Sequence, residues 1–200
     1  VFIDELCSSY DAVFIGSGAG LPMFMNIPGE SLNGVLSANE YLTRINLMGA
    51  YKENCITPVQ RGKNVIVVGA GNVAMDAARS AVRMGAESVT VVYRRGREEM
   101  PARKEEIRHA EEEGVKFRLL ANPVRFTGEE NGNLVAVECI EMQLGEPDAS
   151  GRRRPEPLPG SEFTINADMA IIALGTSPNP LISRSCPDLK TGRRGTLETD

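Results

Sequence analysis

One glycine-rich stretch limits what this chain can fold into more than any other. Residues 65–68 form a short apolar, β-branched run that is typical of a buried parallel strand. Gly69, Gly71 and Ala74 follow with the spacing G-x-G-x-x-A. The first glycine permits a sharp turn, the second lets a pyrophosphate approach the backbone, and the small alanine lets a helix pack closely on the strand. The helix that opens here would direct free N–H groups at the phosphates.

The residues around this motif strengthen the prediction of a dinucleotide site. Residues 72–84 are rich in helix formers and stop at Gly85, and residues 89–93 predict a second strand. The predicted inner face of the helix is small and apolar, consisting of Val73, Ala77, Ala81 and Met84. A strand–turn–helix–strand unit of this size favours dinucleotide binding over a glycine turn that binds nothing.

The end of the second strand indicates which dinucleotide is bound. Sites for NAD usually carry Asp or Glu there, whereas this chain has Arg94, Arg95 and Arg97. Guanidinium groups suit the additional 2′-phosphate of NADP, which a carboxylate would repel. The alternative is a solvated cap of arginines on a strand end. The position about 20 residues after the glycine motif favours the functional interpretation.

Two similar stretches lie on either side of this unit. Residues 12–15 predict a short buried strand that leads into Gly16-Ser-Gly-Ala-Gly20, and residues 168–174 predict a strand that leads into Gly175-Thr176. Because Pro22 follows and no helical pattern opens, the first stretch is interpreted as a tight crossover rather than a second nucleotide loop. Both crossovers are candidate hinges of an inserted domain.

The remaining segments predict a mixed α/β arrangement. A charged, largely exposed helix is predicted over 101–113, and it carries His109, which is interpreted as a surface histidine rather than a catalytic one. Ser37 and Glu40 suggest a capping box at the start of another helix. The other predictions are a strand at 115–120, an antiparallel hairpin over 124–127 and 134–143, a polar loop over 145–161 and a short strand at 162–165. Within the loop, Arg152–Arg154 would be solvated or contact a partner, and we favour the solvated interpretation.

Composition excludes several classes of protein. The net charge of −5 argues against a general nucleic-acid binder, and no apolar run approaches the length of a membrane span. The chain has four cysteines, Cys7, Cys55, Cys139 and Cys186, and no two of them form a C-x-x-C pair. We therefore expect four reduced thiols and no metal site, as in a cytoplasmic protein. Signal-peptide features are missing, and residue 1 is Val, which indicates a processed or cut end.

Taken together, these motifs resemble the two-dinucleotide flavoprotein family, in which an NADPH domain is inserted into an FAD domain. The chain is most similar there to small (β) subunits of NADPH-dependent glutamate synthase. Adrenodoxin reductase, dihydropyrimidine dehydrogenase and the large subunit of ferredoxin:NADP transhydrogenase are relatives. The matching segments are 10–22, 26–30, 34–42, 67–76, 91–102 and 171–175.

The resemblance implies a fold and an architecture. We expect a Rossmann-like three-layer NAD(P)-binding domain, with a parallel sheet and a small antiparallel β-meander, as a piece of a two-domain flavoprotein. The expected divisions are a connecting segment at 1–60, the NADPH domain at 61–175 and a return segment at 176–200. The FAD domain and any iron–sulfur clusters would lie outside this chain. The isolated piece would be inactive and would expose an apolar patch that promotes self-association.

The resemblance also implies residue roles. The pyrophosphate of NADPH would lie on Gly71, Asn72 and Val73, beside Gly69 and Ala74. The 2′-phosphate would be held by Arg94 and Arg95, with Arg97 as a further candidate. Gly175 and Thr176 would lie where the nicotinamide meets the flavin. Hydride transfer to FAD needs no side-chain acid or base, so no catalytic residue is expected.

Three functions remain open at this point. The first is NADPH-dependent delivery of hydride to FAD for glutamate synthesis from glutamine and 2-oxoglutarate, with electrons passing to a large glutamate synthase subunit. The second is the same module in an NADPH:ferredoxin-type transhydrogenase or related reductase, with a ferredoxin-like acceptor. The third is a non-catalytic nucleotide-binding scaffold. The arginines weigh against a scaffold, because it needs no 2′-phosphate site.

Overall fold

The structure, a computed structural model, describes residues 2–147, 149, 151–192 and 195–198. They divide into two compact units. The larger unit comprises residues 24–174, and the smaller unit comprises the described parts of 1–23 and 175–200. The larger unit therefore begins at residue 24, whereas the sequence placed the start of the NADPH domain at 61. The predicted connecting segments also include residues 1, 193, 194, 199 and 200, which lie outside the described residues.

The helices of the two units are short, whereas the strands range from 2 to 14 residues. The helices are α1 (Ile3–Ser9), α2 (Ala38–Leu42), α3 (Asn72–Arg83), α4 (Lys104–Glu112) and α5 (Leu181–Ser185). The strands are β1 (Leu21–Pro22), β2 (Val35–Ser37), β3 (Asn64–Val68), β4 (Ser88–Tyr93), β5 (Lys116–Leu119), β6 (Ala121–Gly128), β7 (Leu134–Pro147), β8 (Arg153–Pro157), β9 (Phe163–Asn166), β10 (Met169–Ile172) and β11 (Thr176–Ser177). A π-helical turn, Thr43–Leu47, continues α2, and a 3₁₀ turn, Arg97–Glu99, follows β4.

A five-stranded parallel sheet forms the centre of the larger unit. Its strands lie in the order β2-β10-β3-β4-β5, and every neighbouring pair is parallel. The chain runs outward from β3 through β4 to β5 and then returns to the other side of β3 as β10. The strand order therefore reverses between β3 and β10, which is the kind of position where open α/β sheets bind ligands.

The three middle strands of the central sheet, β10, β3 and β4, are mostly apolar and are buried on both faces. Val65 and Val67 of β3 pack towards the helices, in a core shared with Met75, Ala78 and Ile107. The intervening residues face the antiparallel sheet, in a second core that contains Ile66, Val68, Ile172, Phe126 and Val137. The larger unit thus has three layers, in the order helices, parallel sheet and antiparallel sheet. The predicted fold class is confirmed.

The antiparallel layer is larger than the sequence predicted. Strand β7 pairs with β6, β8 and β9, so it forms the centre of a four-stranded sheet. The polar loop predicted over 145–161 was wrong, because that segment contains the end of β7 and all of β8. Its charged and proline-rich sequence does not alternate like a strand. An edge strand exposed to water tolerates both features.

Several boundaries differ from the predictions. The helix predicted over 101–113 begins only at Lys104, because Pro101–Arg103 pack in extended form against the glycine turn. Val73 is exposed rather than part of the inner face of α3, which is formed by Ala74, Ala77, Ala78 and Ala81. The Ser37 side chain accepts from the Glu40 N–H as predicted. The Glu40 carboxylate instead pairs with Arg44.

The smaller unit contains two helices and a short strand pair. Leu21–Pro22 of β1 pair antiparallel with Thr176–Ser177 of β11, and the Met23 N–H donates to the Gly175 carbonyl at 3.0 Å. The strand predicted at 12–15 was wrong. Residues 12–20 form no regular element, and Phe14 is 95% exposed. Among the described residues no strand pairs with this segment, and a strand needs such a neighbour.

The helices of both units are short. The longest is α3, with 12 residues. Within the described part of the chain, no helix combines the length and apolar character that crossing a membrane requires.

Candidate nucleotide-binding site

The turn between β3 and α3 can be made only by glycine at its first position. Gly69 has φ of 122°, in the left-handed region, and its N–H donates to the Val92 carbonyl at 3.0 Å. A Cβ at this position would collide with the Ala173 carbonyl oxygen at the end of β10. Gly69 therefore lets the turn fit between the carboxyl ends of β4 and β10.

The second glycine leaves open space at the start of α3. Gly71 is the N-cap residue, and a Cβ added there would meet nothing closer than the Pro101 Cγ at 3.9 Å. Gly71 has no side chain to cap the first turn, and the first turn contains no acidic residue. The N–H groups of this turn and the positive end of the helix dipole are therefore suited to an anion.

A neighbouring segment closes one side of the glycine turn. The Ala102 N–H donates to the Ala70 carbonyl at 3.1 Å, and the Arg103 N–H donates to the Asn72 side-chain oxygen at 2.9 Å. The Asn72 side chain thus joins the start of α3 to the start of α4. No local pattern predicted this contact, which connects residues that are 31 positions apart.

The arginines after β4, residues 94–97, form what we call the arginine turn, and their side chains have three different environments. Arg94 is exposed, and among the described residues it has no hydrogen bond or ion pair. Arg95 is 6% exposed, and its Nε donates to the Arg153 carbonyl at 2.8 Å. Arg97 donates to both carboxylate oxygens of Glu111, at 2.6 and 2.8 Å. The hydrogen bond from Arg97 holds the pKa of the Glu111 carboxyl below its usual range.

These positions bring the glycine turn and the arginine turn to one edge of the sheet. Strands β3 and β4 are parallel neighbours, so the residues that follow them emerge at the same carboxyl edge. Gly69, Gly71, Asn72 and Val73 follow β3, and Arg94 follows β4. Ala74 is fully buried, which suits close packing of α3 rather than ligand contact. Gly175 and Thr176 belong to the smaller unit.

A nicotinamide dinucleotide phosphate fits the groups at this edge. The space above Gly71 and the first turn of α3 suit a pyrophosphate, and Arg94 offers a guanidinium with no competing carboxylate partner among the described residues. To contact a phosphate, Arg97 would first have to break its two hydrogen bonds with Glu111.

The hairpin formed by β7 and β8, which reaches the arginine turn, was not predicted from the sequence. Arg153 Nε donates to the Glu99 Oε1 at 2.6 Å, so this member of the Arg152–Arg154 group is not simply solvated. The proximity of Arg153 to the arginine turn has no signature in sequence spacing. The run of three arginines at 152–154 was the only sequence signal for contact between this segment and a charged group.

The described part of the chain contains no cluster of metal-binding side chains and no disulfide. No group of three or more His, Cys, Asp or Glu residues within it could hold a metal ion. Cys7, Cys55, Cys139 and Cys186 are free thiols. Burial raises the pKa of the Cys139 thiol to about 12, so this thiol stays protonated at neutral pH.

Comparison with known proteins identifies the family. Residues 4–200 match the family described as pyridine nucleotide-disulphide oxidoreductase. This chain belongs to that family.

Its curated relatives have several different names. The β subunit of the NADP⁺-dependent formate dehydrogenase of Moorella thermoacetica is 43% identical over 100% of this chain. The β subunit of the NADPH-Fe(3+) oxidoreductase of Geobacter sulfurreducens is 45% identical over 90% of it. The small chain of the NADPH glutamate synthase of Azospirillum brasilense is 39% identical over 99% of it. The chain spans 27%, 26% and 42% of these three relatives, respectively.

Solved structures support the fold. The FprA oxidoreductase of Mycobacterium tuberculosis, solved in complex with NADPH, aligns with a TM-score of 0.78 at 21% identity, covering 98% of this chain and 56% of FprA. Thioredoxin reductase of T. acidophilum aligns with a TM-score of 0.63 at 16% identity, covering 92% of this chain and 50% of its own. At these identities the likeness concerns the fold alone.

Proposed function

We propose that the larger unit binds NADPH and presents its nicotinamide to FAD in a flavin-dependent oxidoreductase. The observation that carries this proposal is the meeting, at one edge of the sheet, of a side-chain-free helix start at Gly71 and the exposed guanidinium of Arg94. The first suits a pyrophosphate and the second suits a 2′-phosphate. The names of the three relatives, all of which refer to NADP⁺ or NADPH, are consistent with it.

In this proposal the chain contributes binding and orientation rather than acid–base chemistry. The two cofactors would supply the hydride chemistry. Gly69 lets the chain turn at the sheet edge, and the first turn of α3 and Arg94 fix the two phosphate groups. Fixing both ends of the adenosine half limits the positions open to the rest of the cofactor, which lowers the entropic cost of alignment. Gly175 and Thr176 are proposed to lie on the nicotinamide path.

For the electron acceptor, we propose a glutamate synthase large subunit, with glutamate made from glutamine and 2-oxoglutarate. A ferredoxin-like or other iron–sulfur acceptor is the second candidate, because two relatives with at least as much identity are named for other reactions. The test is NADPH oxidation by the intact protein with each acceptor in turn. Turnover that depends on glutamine and 2-oxoglutarate would support the first candidate, and turnover only with ferredoxin would support the second.

The nucleotide preference is tested by calorimetric titration with NADP⁺ and then NAD⁺ in the same buffer. We expect tighter binding of NADP⁺. In Arg94→Ala, NADP⁺ affinity should fall by about tenfold while NAD⁺ affinity stays the same, because one charge-assisted contact to the 2′-phosphate is lost. The control is Arg108→Ala, which removes an exposed arginine whose described partner is Glu112 on α4.

The scaffold hypothesis makes a different prediction for the same titration. A scaffold would bind neither nucleotide, or would bind both equally, and Arg94→Ala would change nothing. Arg95→Ala alone is a poor test, because Arg95 is buried and its loss would also disturb the hairpin contact.

A further inference from the structure

The hairpin formed by β7 and β8 lies against the arginine turn and is attached to it at two points. Arg153, the first residue of β8, donates from its Nε to the Glu99 Oε1 at 2.6 Å. The Arg153 carbonyl accepts from the Arg95 Nε at 2.8 Å. One residue of the hairpin therefore contacts both Glu99 and Arg95, the residue next to Arg94.

The first attachment involves a buried carboxylate. Glu99 is 6% exposed, and its Oε2 has no hydrogen-bond partner among the described residues. A Cβ at Gly96 would lie 2.8 Å from that oxygen, so the carboxylate is packed against the backbone of the arginine turn. Its backbone carbonyl accepts from the Tyr93 hydroxyl at 2.7 Å. A buried carboxylate needs a cation, and Arg153 supplies the short contact here.

The second attachment involves the Arg95 guanidinium. Its Nε is engaged by a main-chain oxygen of the hairpin, and Arg95 is buried. This contact ties the arginine turn, at the residue next to the exposed Arg94, to the hairpin. The Arg153 backbone is held by its pairing with Pro147 of β7 and, through its own side chain, by the ion pair with Glu99.

We infer that Arg153 and Glu99 are positioning residues for recognition of the 2′-phosphate, acting through Arg95 to hold in place the turn that presents Arg94. This inference rests on the proposed function, because it assigns the arginine turn to the NADP phosphate. It assigns a role to the β7–β8 hairpin that glycine and arginine motifs do not indicate. The Glu99–Arg153 pair acts through Arg95 and has no ligand contact of its own.

The test compares Arg153→Met with Arg154→Met in the intact protein. Both variants remove one positive charge from the start of β8, but Arg154 is exposed and has no ion pair among the described residues. Calorimetric affinities are measured for NADP⁺, NAD⁺, 2′,5′-ADP and 5′-AMP. We expect Arg153→Met to weaken NADP⁺ and 2′,5′-ADP by about tenfold, the size of one charge-assisted hydrogen bond. NAD⁺ and 5′-AMP should be unaffected, and Arg154→Met should leave all four affinities within about twofold.

Two further variants keep the inference testable if Arg153→Met folds poorly. Glu99→Gln preserves the size of the side chain and removes its charge, and it should weaken the same two ligands. Arg153→Lys keeps the charge without the planar fork, and it should restore part of the lost affinity. Circular dichroism checks that each variant is folded.

The outcomes separate the inference from the proposed function. If the unchanged protein does not prefer NADP⁺ over NAD⁺, both are wrong. If it prefers NADP⁺ but Arg153→Met and Glu99→Gln keep that preference, only the inference is wrong. An equal loss for ligands with and without the 2′-phosphate would also overturn it, because that pattern indicates a general structural role.

Discussion

The two edges of the central parallel sheet are built in opposite ways. At the amino edge, the Asp168 carboxylate, which precedes β10, accepts from the N–H groups of Lys63 and Asn64 at 3.0 and 2.9 Å. The start of β3 is thereby tied to the start of β10. At the carboxyl edge, the equivalent positions after β3 are Gly69 and Gly71, which have no side chain to satisfy or cover the backbone.

This difference separates stability from binding within one sheet. A side chain that saturates backbone N–H groups stabilises the fold, but it leaves nothing for a ligand to bond. A glycine that leaves helix N–H groups unsatisfied forgoes that stabilisation and makes an anion site. Changes at the amino edge should therefore affect unfolding, and changes at the carboxyl edge should affect nucleotide affinity.

The largest expected effect is at the amino edge. Asp168→Ala should lower the free energy of unfolding by about 2 kcal/mol, because two backbone N–H groups lose a charged acceptor. NADP⁺ affinity at a temperature where the variant is folded should not change. Urea unfolding and calorimetric titration measure the two quantities. Glu162→Ala, at an exposed carboxylate, is the control for lost charge. A large loss of affinity in Asp168→Ala would break the proposed separation of the two edges.

The next effect is at the carboxyl edge. Gly71→Val should weaken NADP⁺ binding by about 1.5 kcal/mol or more, roughly tenfold, because the side chain would occupy the space above the helix start. In Gly71→Ala, stability should change by less than about 1 kcal/mol, since a Cβ there meets nothing closer than the Pro101 Cγ at 3.9 Å. Gly85→Ala is a poor control because Gly85 has φ of 95°. Ser80→Val, far along α3 from the glycine turn, is a better one. Unchanged binding in Gly71→Val would contradict the pyrophosphate assignment.

The smallest effect concerns the helices rather than either edge. Hydrogen bonds from Arg83 and Arg79 hold the pKa of Glu113 below its usual range. This lowered pKa stabilises the fold above about pH 4.3, the ordinary pKa of glutamate, and the contribution is lost as pH falls through the folded-state pKa. Glu113→Gln should therefore be less stable than the unchanged protein at pH 6, by less than about 1 kcal/mol.

This prediction is tested by urea unfolding of the unchanged protein and Glu113→Gln at pH 6 and at pH 3. The difference between the two proteins should shrink as the pH is lowered from 6 to 3, because the carboxylate of the unchanged protein becomes protonated. A difference that stays constant over this range would mean that Glu113 stabilises the helices by packing rather than by its charge.

The site was predictable where its residues are close in the chain. The glycine turn, α3 and the arginines after β4 were located from spacing alone, because each requirement is a local one. Arg153 and Glu99 are 54 residues apart, and nothing in the intervening sequence indicates that β7 and β8 bring them together. The different environments of Arg94, Arg95 and Arg97 were likewise hidden, because burial and ion pairing depend on tertiary contacts.

The errors in the fold also have tertiary causes. Residues 12–15 are apolar enough to be a strand, but strand formation needs hydrogen-bonding neighbours that composition does not supply. Val73 is apolar yet exposed at the start of α3, because the packing of the helix is decided by the small residues Ala74, Ala77 and Ala78. Apolar character alone therefore decided neither whether residues 12–15 form a strand nor which way the Val73 side chain faces.

The short pairing of β1 with β11 has a consequence for how the larger unit is connected to the chain. Since Met23 and Gly175 are hydrogen-bonded, the points where the chain enters and leaves residues 24–174 are neighbours. Neighbouring strands lie about 5 Å apart, a gap that a tight turn of two to five residues can close. Residues 24–174 could therefore be inserted into a longer chain, or removed from it, with only one short connection to rebuild.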